Sequence, residues 1–525
     1  MSQRPQTKSN TVMTYYRFYF PLILFFISLS IASCQKKNKT TSPPNIVLFL
    51  VDDMGWQDTS VPFWNKTTAF NKRYHTPNMK RLAAQGMKFT QAYATPVCSP
   101  TRVSLLTGMN TARHRVTNWT LRKDALQPME RDHKTLNFPK WNVNGLSPNA
   151  GLNGAVHADP LPALLKKAGY FTIHSGKAHF GAIGTPGENP LNLGFDINIA
   201  GHAAGAPASY FGEDNFGNTE KNKGKPWGVP GLEKYHGKDL FLTEALTIEA
   251  KAAMDSALDK EKPFFLYMSH YAVHTPIMGD KRFLQKYLDA GLDPREAKYA
   301  SLIEGMDKSL GDIMDYLKEK NIDDNTIVLF MSDNGGLSAH AARGGELHTH
   351  NKPLASGKGS IYEGGIREPM IVKWPGVVAP ASVNDNYLII EDFYPTILEM
   401  AGTKTYHTVQ YIDGKSFIPL LANNKSGQTD SRPLFWHYPN EWGPSGPGIG
   451  AFSAVRLGAW KLIYYHNSES YELFNIVEDI EEKDNRAVTE SDKVKALASV
   501  LTTYLKDVDA QMPSHKATGE KVAYP

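Results

Sequence analysis

The chain has 525 residues, of which 41% are apolar and 21% charged, and its formal net charge is +4. This length allows one large domain with a smaller one appended, and the apolar fraction is enough for a substantial core. The nearly balanced charge, with no basic stripe among aromatic residues, gives no basis for binding nucleic acid and argues that any anionic substrate is recognised locally.

Residues 1–33 are predicted to be a lipoprotein signal peptide. Three basic residues and no acidic one precede an apolar stretch, residues 18–32, that is too short to span a bilayer comfortably. The run Ile31-Ala32-Ser33-Cys34 looks like a bacterial lipobox, so Cys34 would carry a lipid anchor; an ordinary secretory signal cleaved nearby is the alternative. Loss of this segment lowers the formal charge from +4 to +1.

Residues 34–44 read as a polar tether between the anchor and the first strand. The residues just after Cys34 include lysines and no acidic side chain. This favours a periplasmic over an outward-facing position in the bacterial envelope, with membrane contact only through the lipid.

Strands and helices alternate from residue 45 onward, which predicts an α/β fold: a large, mostly parallel sheet with helices on both faces. Predicted strands cover residues 45–51, 171–174, 264–268 and 326–331, and predicted helices cover 162–169, 243–258 and 297–320. Later segments, 457–465 and 471–474 with a helix over 491–508, predict a smaller antiparallel sheet plus helix. We therefore expect a catalytic domain over 45–420 and an α+β subdomain over 421–525.

Polar side chains follow several of the predicted strands directly. They are Asp52, Asp53, Lys177, His179, His274, Asp333 and Asn334. Because ligands gather beyond the carboxyl ends of parallel strands, these residues are expected to converge. The aspartates and the asparagine offer oxygen donors only, which favours a hard cation, calcium before magnesium.

Cys98 opens the run Cys98-Ser99-Pro100-Thr101-Arg102. Pro100 suits the first position of a helix, so the thiol is expected at a helix N-terminus, where free N–H groups favour negative charge. Arg102, one turn further on, can face the same way. With Cys34 assigned to the anchor, Cys98 has no disulfide partner, and no Cys/His neighbours suggest a zinc site. A chemical role is predicted.

These motifs resemble those of the type I sulfatases, a family of the alkaline phosphatase superfamily. The Cys98 run is similar to the family's C-x-P-x-R signature, residues 175–181 are similar to its G-K-x-H element, and the stretches around His274 and Lys358 are similar to two further family loops. The resemblance covers residues 45–420 and, less specifically, the C-terminal part, where 460–462 and 471–474 look familial. Thr101 stands where many members carry serine or alanine.

The resemblance implies a sulfuric ester hydrolase in which a sulfatase-maturing enzyme oxidises Cys98 to formylglycine. It implies one calcium ion held by Asp52, Asp53, Asp333 and Asn334 with an oxygen of residue 98. It also implies roles for five further side chains. Arg102 would hold the hydrated aldehyde and favour its ionised form, and Lys177 and Lys358 would compensate charge on the sulfuryl oxygens. His274 would assist the leaving oxygen, and His179 would take a proton at residue 98.

The implied substrate is a sulfated polysaccharide or its oligosaccharides, and ulvan, carrageenan, fucan and glycosaminoglycan all remain open, as does exo or endo action. The alternatives are a formylglycine phosphonate monoester or phosphodiester hydrolase and a catalytically dead sulfated-glycan-binding protein. Nine aromatic or basic residues in long insertions could contact a sugar, although packing explains each more readily: Arg73, His75, His202, His340, Arg343, His348, His350, Trp436 and His437.

Overall fold

The computed structural model describes residues 10, 13, 43–126, 133–422 and 431–525. The predicted signal peptide, Cys34 and most of the tether lie outside the described residues and stay predictions. From Pro43 to Pro525 the chain forms one compact unit, and the boundary expected at residue 420 also stays a prediction. Within the described ranges, no helix combines the length and apolar character that a membrane span requires.

The strands and helices are numbered here in chain order. The strands are β1 (Asn45–Val51), β2 (Met87–Tyr93), β3 (Leu136–Asn137), β4 (Gly145–Ser147), β5 (Ala155–His157), β6 (Phe171–Gly176), β7 (Ile197–Ile199), β8 (Phe264–Ser269), β9 (Thr326–Ser332), β10 (Arg367–Lys373), β11 (Ser382–Ile389), β12 (Leu434–Tyr438), β13 (Phe452–Leu457), β14 (Trp460–Tyr465), β15 (Ser470–Asn475) and β16 (Ser514–His515). The α-helices are α1 (Ala69–Arg73), α2 (Pro77–Gln85), α3 (Cys98–Thr107), α4 (Thr111–His114), α5 (Leu161–Lys167), α6 (Leu242–Leu258), α7 (Leu284–Asp289), α8 (Pro294–Glu319), α9 (Glu363–Ile366), α10 (Phe393–Met400), α11 (Ile418–Leu421) and α12 (Ser491–Asp507).

The large sheet has the strand order β11-β2-β10-β9-β1-β8-β6-β7 in the described part of the chain. All its neighbouring pairs are parallel except those of β10, which runs antiparallel to both β9 and β2. The mostly parallel sheet predicted from the sequence is therefore confirmed. Strands β2, β10 and β11, which the sequence analysis does not predict, extend it on one side.

Strand β1 shows why the centre of the sheet is stable. All seven of its residues are buried. Alternate side chains point to opposite faces: Ile46, Leu48 and Leu50 pack with α3, α5 and α10, whereas the intervening residues pack with α2, α6 and α8. Helices thus cover both faces, and the polar residues that follow β1 emerge at one edge.

The C-terminal sheet is antiparallel, in the order β12-β13-β14-β15. Helix α12 packs on it through Leu497, Leu501 and Leu505, which contact Val455 and Leu462 among others. The predicted subdomain is confirmed in type, but the prediction of one segment over 457–465 is wrong. Leu457 pairs with Trp460 in a tight hairpin, because the two residues between them, Gly458 and Ala459, form its turn.

A buried ion cluster joins the C-terminal sheet to the segment before β10. Lys461 of β14 lies 2.8 Å from Glu363 and 2.6 Å from Glu482, and all three side chains are inaccessible to solvent. Its ammonium also donates to the carbonyl oxygen of Ile361 at 3.0 Å. The segment thus anchored is the one that carries Lys358.

Replacing Lys461 with methionine should lower the free energy of unfolding by about 3–5 kcal/mol, because buried Glu482 loses its cation and buried Glu363 keeps only Arg367, at 3.3 Å. Urea unfolding of the full chain measures this change. In the matched control Lys495→Met, the lost partner is Asp492 in an exposed pair, and the midpoint should hardly move. Equal midpoints for the two variants would contradict the role given to Lys461.

Candidate active site

The predicted site residues converge at the carboxyl edge of the parallel strands. Asp52 and Asp53 follow β1, Lys177 follows β6, and Asp333 follows β9, while Cys98 arrives on α3 after β2. Lys358 reaches the same edge because β10 is reversed, so that the segment before it, rather than after it, lies there. The convergence expected from the sequence is observed.

Cys98 is the first residue of α3, so the thiol lies at the helix N-terminus as expected, but Pro100 is the third helical residue and not the first. The helix ends at the left-handed Gly108. The thiol is buried, with its sulfur 3.5 Å from Asp52 Oδ1 and 3.4 Å from Lys358 Nζ. Burial raises the pKa of this thiol to about 12, although Lys177 and Lys358 oppose the rise. The unmodified side chain is therefore a protonated, weakly nucleophilic thiol at neutral pH.

Three buried ion pairs balance the charge around Cys98. Lys177 Nζ lies 2.6 Å from Asp52 Oδ2, Lys358 Nζ lies 2.6 Å from Asp53 Oδ1, and the Arg102 guanidinium lies 2.7 Å from Asp333 Oδ2. Buried charges need such partners to offset their lost hydration. The site is thus densely charged but close to neutral.

The charged side chains of this site also shift one another's pKa values, and Arg102 connects the strands around them. Burial would raise the pKa of Asp53, but Lys358, His274 and Lys177 together hold it below its usual value. The pKa of Asp52 is raised by burial and by Asp333. Arg102 additionally donates to the carbonyl oxygen of Lys177 at 2.9 Å and to Ser269 Oγ at 2.6 Å. It therefore ties β6 and β8 to Asp333.

Three of the residues predicted to hold a cation, Asp52, Asp53 and Cys98, form a cluster with His274, which was not predicted as a ligand. Their ligand atoms all lie within 4.8 Å of one another. Asn334 Nδ2 donates to Asp53 Oδ1 at 2.8 Å, while Asn334 Oδ1 is buried without a hydrogen-bond partner. That orphaned acceptor, with the three aspartates beside it, fits a hard cation such as calcium.

His179 is held as a neutral base. Its ring nitrogen Nε2 donates to the carbonyl oxygen of Thr120 at 2.9 Å, so Nδ1 carries no proton, and Nδ1 is buried without a partner. Burial, then Lys177 and Arg102, hold the pKa of His179 well below its ordinary value. A Cβ on Gly205 would lie 2.3 Å from the ring, so this glycine leaves the space that the ring occupies.

His274 also lies at the edge of the cluster, in the cavity wall. Its Nδ1 is 2.8 Å from the carbonyl oxygen of Thr275, and its Nε2 is 3.7 Å from Asp53 Oδ2. Burial and Lys358 lower its pKa to about 3. His270, the other histidine of this loop, is buried against Ser309 Oγ at 2.8 Å, which agrees with assigning the role to His274.

A cavity of ≈ 670 Å³ opens onto these residues, with Cys98, His179, His274 and Lys358 in its wall. Of the nine residues considered as sugar contacts, only His340 is among the described residues that line it. Others serve the protein interior: Arg343 pairs with Asp58 and Glu296, and Trp436 donates to the carbonyl oxygen of Ala94 at 2.9 Å.

Three tryptophans in the cavity wall were missed by the sequence analysis: Trp119, Trp227 and Trp442. They come from three distant loops with no motif around them. Trp442 packs against Gly359, where a Cβ would meet its ring at 2.0 Å. Their residue type was the only indication in the sequence. It is a weak one, because many tryptophans lie in ordinary protein cores.

Family comparison agrees with this geometry. The Sulfatase family model matches residues 44–403. The chain belongs to the sulfatase family. A second model, N-sulphoglucosamine sulphohydrolase, C-terminal, matches residues 356–511 of this sulfatase. The resemblance to type I sulfatases is thus confirmed, and the protein is an enzyme that hydrolyses sulfate esters.

Individual relatives extend the match over most of the chain. A sulfatase of Formosa agariphila is 31% identical over 514 residues, covering 88% of each protein. The N-acetylgalactosamine-6-sulfatase of Mus musculus is 33% identical over 442 residues, covering 82% of this chain and 74% of its own. The crystal structure of Ps i-CgsB in complex with k-i-k-neocarrahexaose aligns with a TM-score of 0.69 at 27% identity, covering 89% of this chain and 93% of that one.

Proposed function

We propose that this sulfatase removes sulfate from glycans, using formylglycine formed from Cys98 and a calcium ion held by Asp52, Asp53, Asp333 and Asn334. The observation that carries the proposal is the position of residue 98, at the N-terminus of α3 and within 3.5 Å of both the Asp52 carboxylate and the Lys358 ammonium. The buried thiol, with its pKa of about 12, is a poor nucleophile. A hydrated aldehyde in its place supplies an oxygen nucleophile.

The cations of the chain face the position where a sulfate group would lie. Lys358 is within 3.4 Å of the Cys98 sulfur, and Lys177 is held beside it through Asp52. Their charges can compensate the sulfuryl oxygens as charge redistributes in the transition state. A bound calcium ion supplies further positive charge there and lowers the pKa of a coordinated hydroxyl.

Two histidines provide separate proton-transfer groups. His274 lies at the cavity, where a leaving alcohol oxygen would be released. Burial and Lys358 hold it neutral in the free site, so it would take up the proton it donates when the anionic sulfate ester binds beside it. His179 presents an unprotonated Nδ1 and can accept a proton at residue 98, which lets the carbonyl form again as sulfate departs. A serine nucleophile has no second hydroxyl for this step. That difference is the chemical reason for an aldehyde.

The glycan assignment is supported by the cavity and by the relatives. A volume of ≈ 670 Å³ lies within the range of ligand sites. The named relatives include an N-acetylgalactosamine-6-sulfatase and a structure in complex with a neocarrahexaose. We further propose lipid anchoring at Cys34 in the bacterial envelope, periplasmic rather than outward-facing, and maturation by a sulfatase-maturing enzyme, on the sequence motifs alone.

The proposal is tested by expressing the protein with a maturing enzyme and assaying 4-nitrophenyl sulfate, bis(4-nitrophenyl) phosphate and sulfated oligosaccharides. Sulfate release from the aryl sulfate and from at least one oligosaccharide supports it. Faster turnover of the phosphate diester would favour the phosphodiesterase alternative instead. Retained binding of sulfated glycans by a matured protein without turnover would indicate the glycan-binding alternative.

His274→Ala should reduce kcat/KM for a sugar sulfate by about 10²–10⁴-fold and for an aryl sulfate much less, because a phenolate leaves without needing a proton. Steady-state kinetics on the paired substrates measures the difference. His270→Ala is the matched control from the same loop. Equal losses on both substrates would mean that His274 only positions the substrate.

His179→Ala should slow both substrates similarly, because its proposed proton transfer follows departure of the alcohol. Rapid mixing should then show a burst of about one alcohol per enzyme before a slow steady state. His350→Ala, at a histidine bonded to the carbonyl oxygen of Gly344 rather than to the site, provides the comparison. A linear time course with the sugar sulfate affected most would contradict the assignment.

A further inference from the structure

The cavity beside the site is largely apolar away from the catalytic groups. Its wall includes the indole rings of Trp119, Trp227 and Trp442, together with Leu337, Pro207 and Pro276. Flat aromatic walls of this kind bind the apolar C–H face of a ring while a few polar groups fix its orientation. The walls are therefore suited to a pyranose ring.

Away from the position proposed for the sulfate group, the described wall of the cavity has almost no charged side chains. Among the described residues that line the cavity, Lys358 is the one lysine or arginine and Asp53 the one carboxylate. These two residues pair with each other at 2.6 Å. The other titratable groups of this described lining are Cys98 and three histidines, His179, His274 and His340, and none of them is a permanent cation.

Among the described residues that line the cavity, an additional anionic group on the bound sugar would meet no lysine or arginine other than Lys358, which pairs with Asp53. A uronate carboxylate or a second sulfate would lose water on entry, and no free cation on these walls would compensate the loss. The free-energy cost of burying such an unpaired charge applies only to substrates that carry it. The cavity therefore discriminates against those substrates. An uncharged ring with hydroxyl or N-acetyl groups pays no such penalty.

We propose that the cavity selects a sugar whose only anionic group is the sulfate that is removed. Uronates and rings with a second sulfate are disfavoured in this position. The inference rests on the proposed function, since it assumes that residue 98 attacks a sulfate ester bound in this cavity.

Matched synthetic galactosides and N-acetylgalactosaminides test the selection. For whichever singly sulfated sugar is turned over, kcat/KM should exceed that of its doubly sulfated counterpart at least about tenfold. Equal or higher values for the doubly sulfated or uronate sugars would overturn the inference, as would turnover of 4-nitrophenyl sulfate alone. Absence of turnover with every sulfate ester, the aryl sulfate included, would instead overturn the proposed function and this inference with it.

A cation placed on the wall provides the second arm of the experiment. Ala341, which is exposed at the cavity, is replaced with lysine, and the ratio of kcat/KM for doubly over singly sulfated sugar should rise about tenfold. Ala290→Lys adds the same charge on an exposed helix end away from the cavity and should leave the ratio unchanged. An equal ratio in both variants would overturn the charge argument.

The aromatic wall is tested separately with Trp227→Ala. This variant should lower kcat/KM for the sugar sulfate at least about tenfold, whereas 4-nitrophenyl sulfate should be affected little. Trp64→Ala, at a tryptophan outside the cavity that contacts Lys66, is the control. Unchanged turnover of the sugar sulfate by Trp227→Ala would show that the ring is not bound against this wall.

Discussion

Replacement of Cys98 with alanine is expected to abolish sulfate ester hydrolysis, leaving no turnover above background on aryl or sugar sulfates. The reason is that residue 98 supplies the nucleophile in the mechanism we propose. Cys98→Ser should be similarly inactive in sustained turnover, because serine lacks the second hydroxyl through which the carbonyl re-forms. Intact-mass and peptide analysis of active wild-type protein should show the thiol-to-aldehyde mass difference at residue 98.

The matched control is the wild-type sequence produced without a maturing enzyme. It retains the buried thiol, whose pKa is raised to about 12, and should therefore fold normally but turn over no sulfate ester. Activity should increase in proportion to the fraction of aldehyde measured by mass. Full activity in protein with an entirely unmodified Cys98 would refute the proposed chemistry.

The centre of the fold was predictable because its strands are buried on both faces. Such strands are continuous apolar runs, as in Asn45–Val51 and Thr326–Ser332, and the runs end where polar residues begin. The edge of the sheet was not predictable in the same way. In β11 the side chains are buried only in part, and the reversed direction of β10 depends on neighbours distant in sequence rather than on its own residues.

The site residues also differ in how far the sequence predicts them. Asp52 and Asp333 were predictable, since the ends of predicted parallel strands bring them to one edge. Cys98 follows β2, which was not predicted, and was assigned to the site through its motif. Lys358 was found through motif resemblance, and its position is explained only by the reversal of β10. The tryptophans of the cavity lie on long loops, whose paths follow from tertiary packing, so no local pattern identifies them.

Asp333→Asn should abolish high-affinity calcium binding and reduce kcat by at least about 10²-fold, because it removes one charge from the cluster while keeping the shape of the side chain. Asp333 also pairs with Arg102 at 2.7 Å, so a test of metal binding needs a readout independent of activity. Chelated wild-type protein should show a melting temperature that rises with added calcium. In Asp333→Asn the melting temperature should be insensitive to calcium.

Asp315→Asn is the matched control for this experiment, since Asp315 pairs with Arg81 at the surface and contributes nothing to the cluster. Its calcium-dependent stabilisation and its activity should equal those of the wild type.

Magnesium should stabilise the wild type less than calcium does. Calcium accepts carboxylate and amide oxygens in a loose arrangement, whereas magnesium requires a nearly ideal octahedron. Stoichiometric zinc in active protein, without calcium or magnesium, would refute the assignment, and equal calcium responses in Asp333→Asn and wild type would place the ion elsewhere.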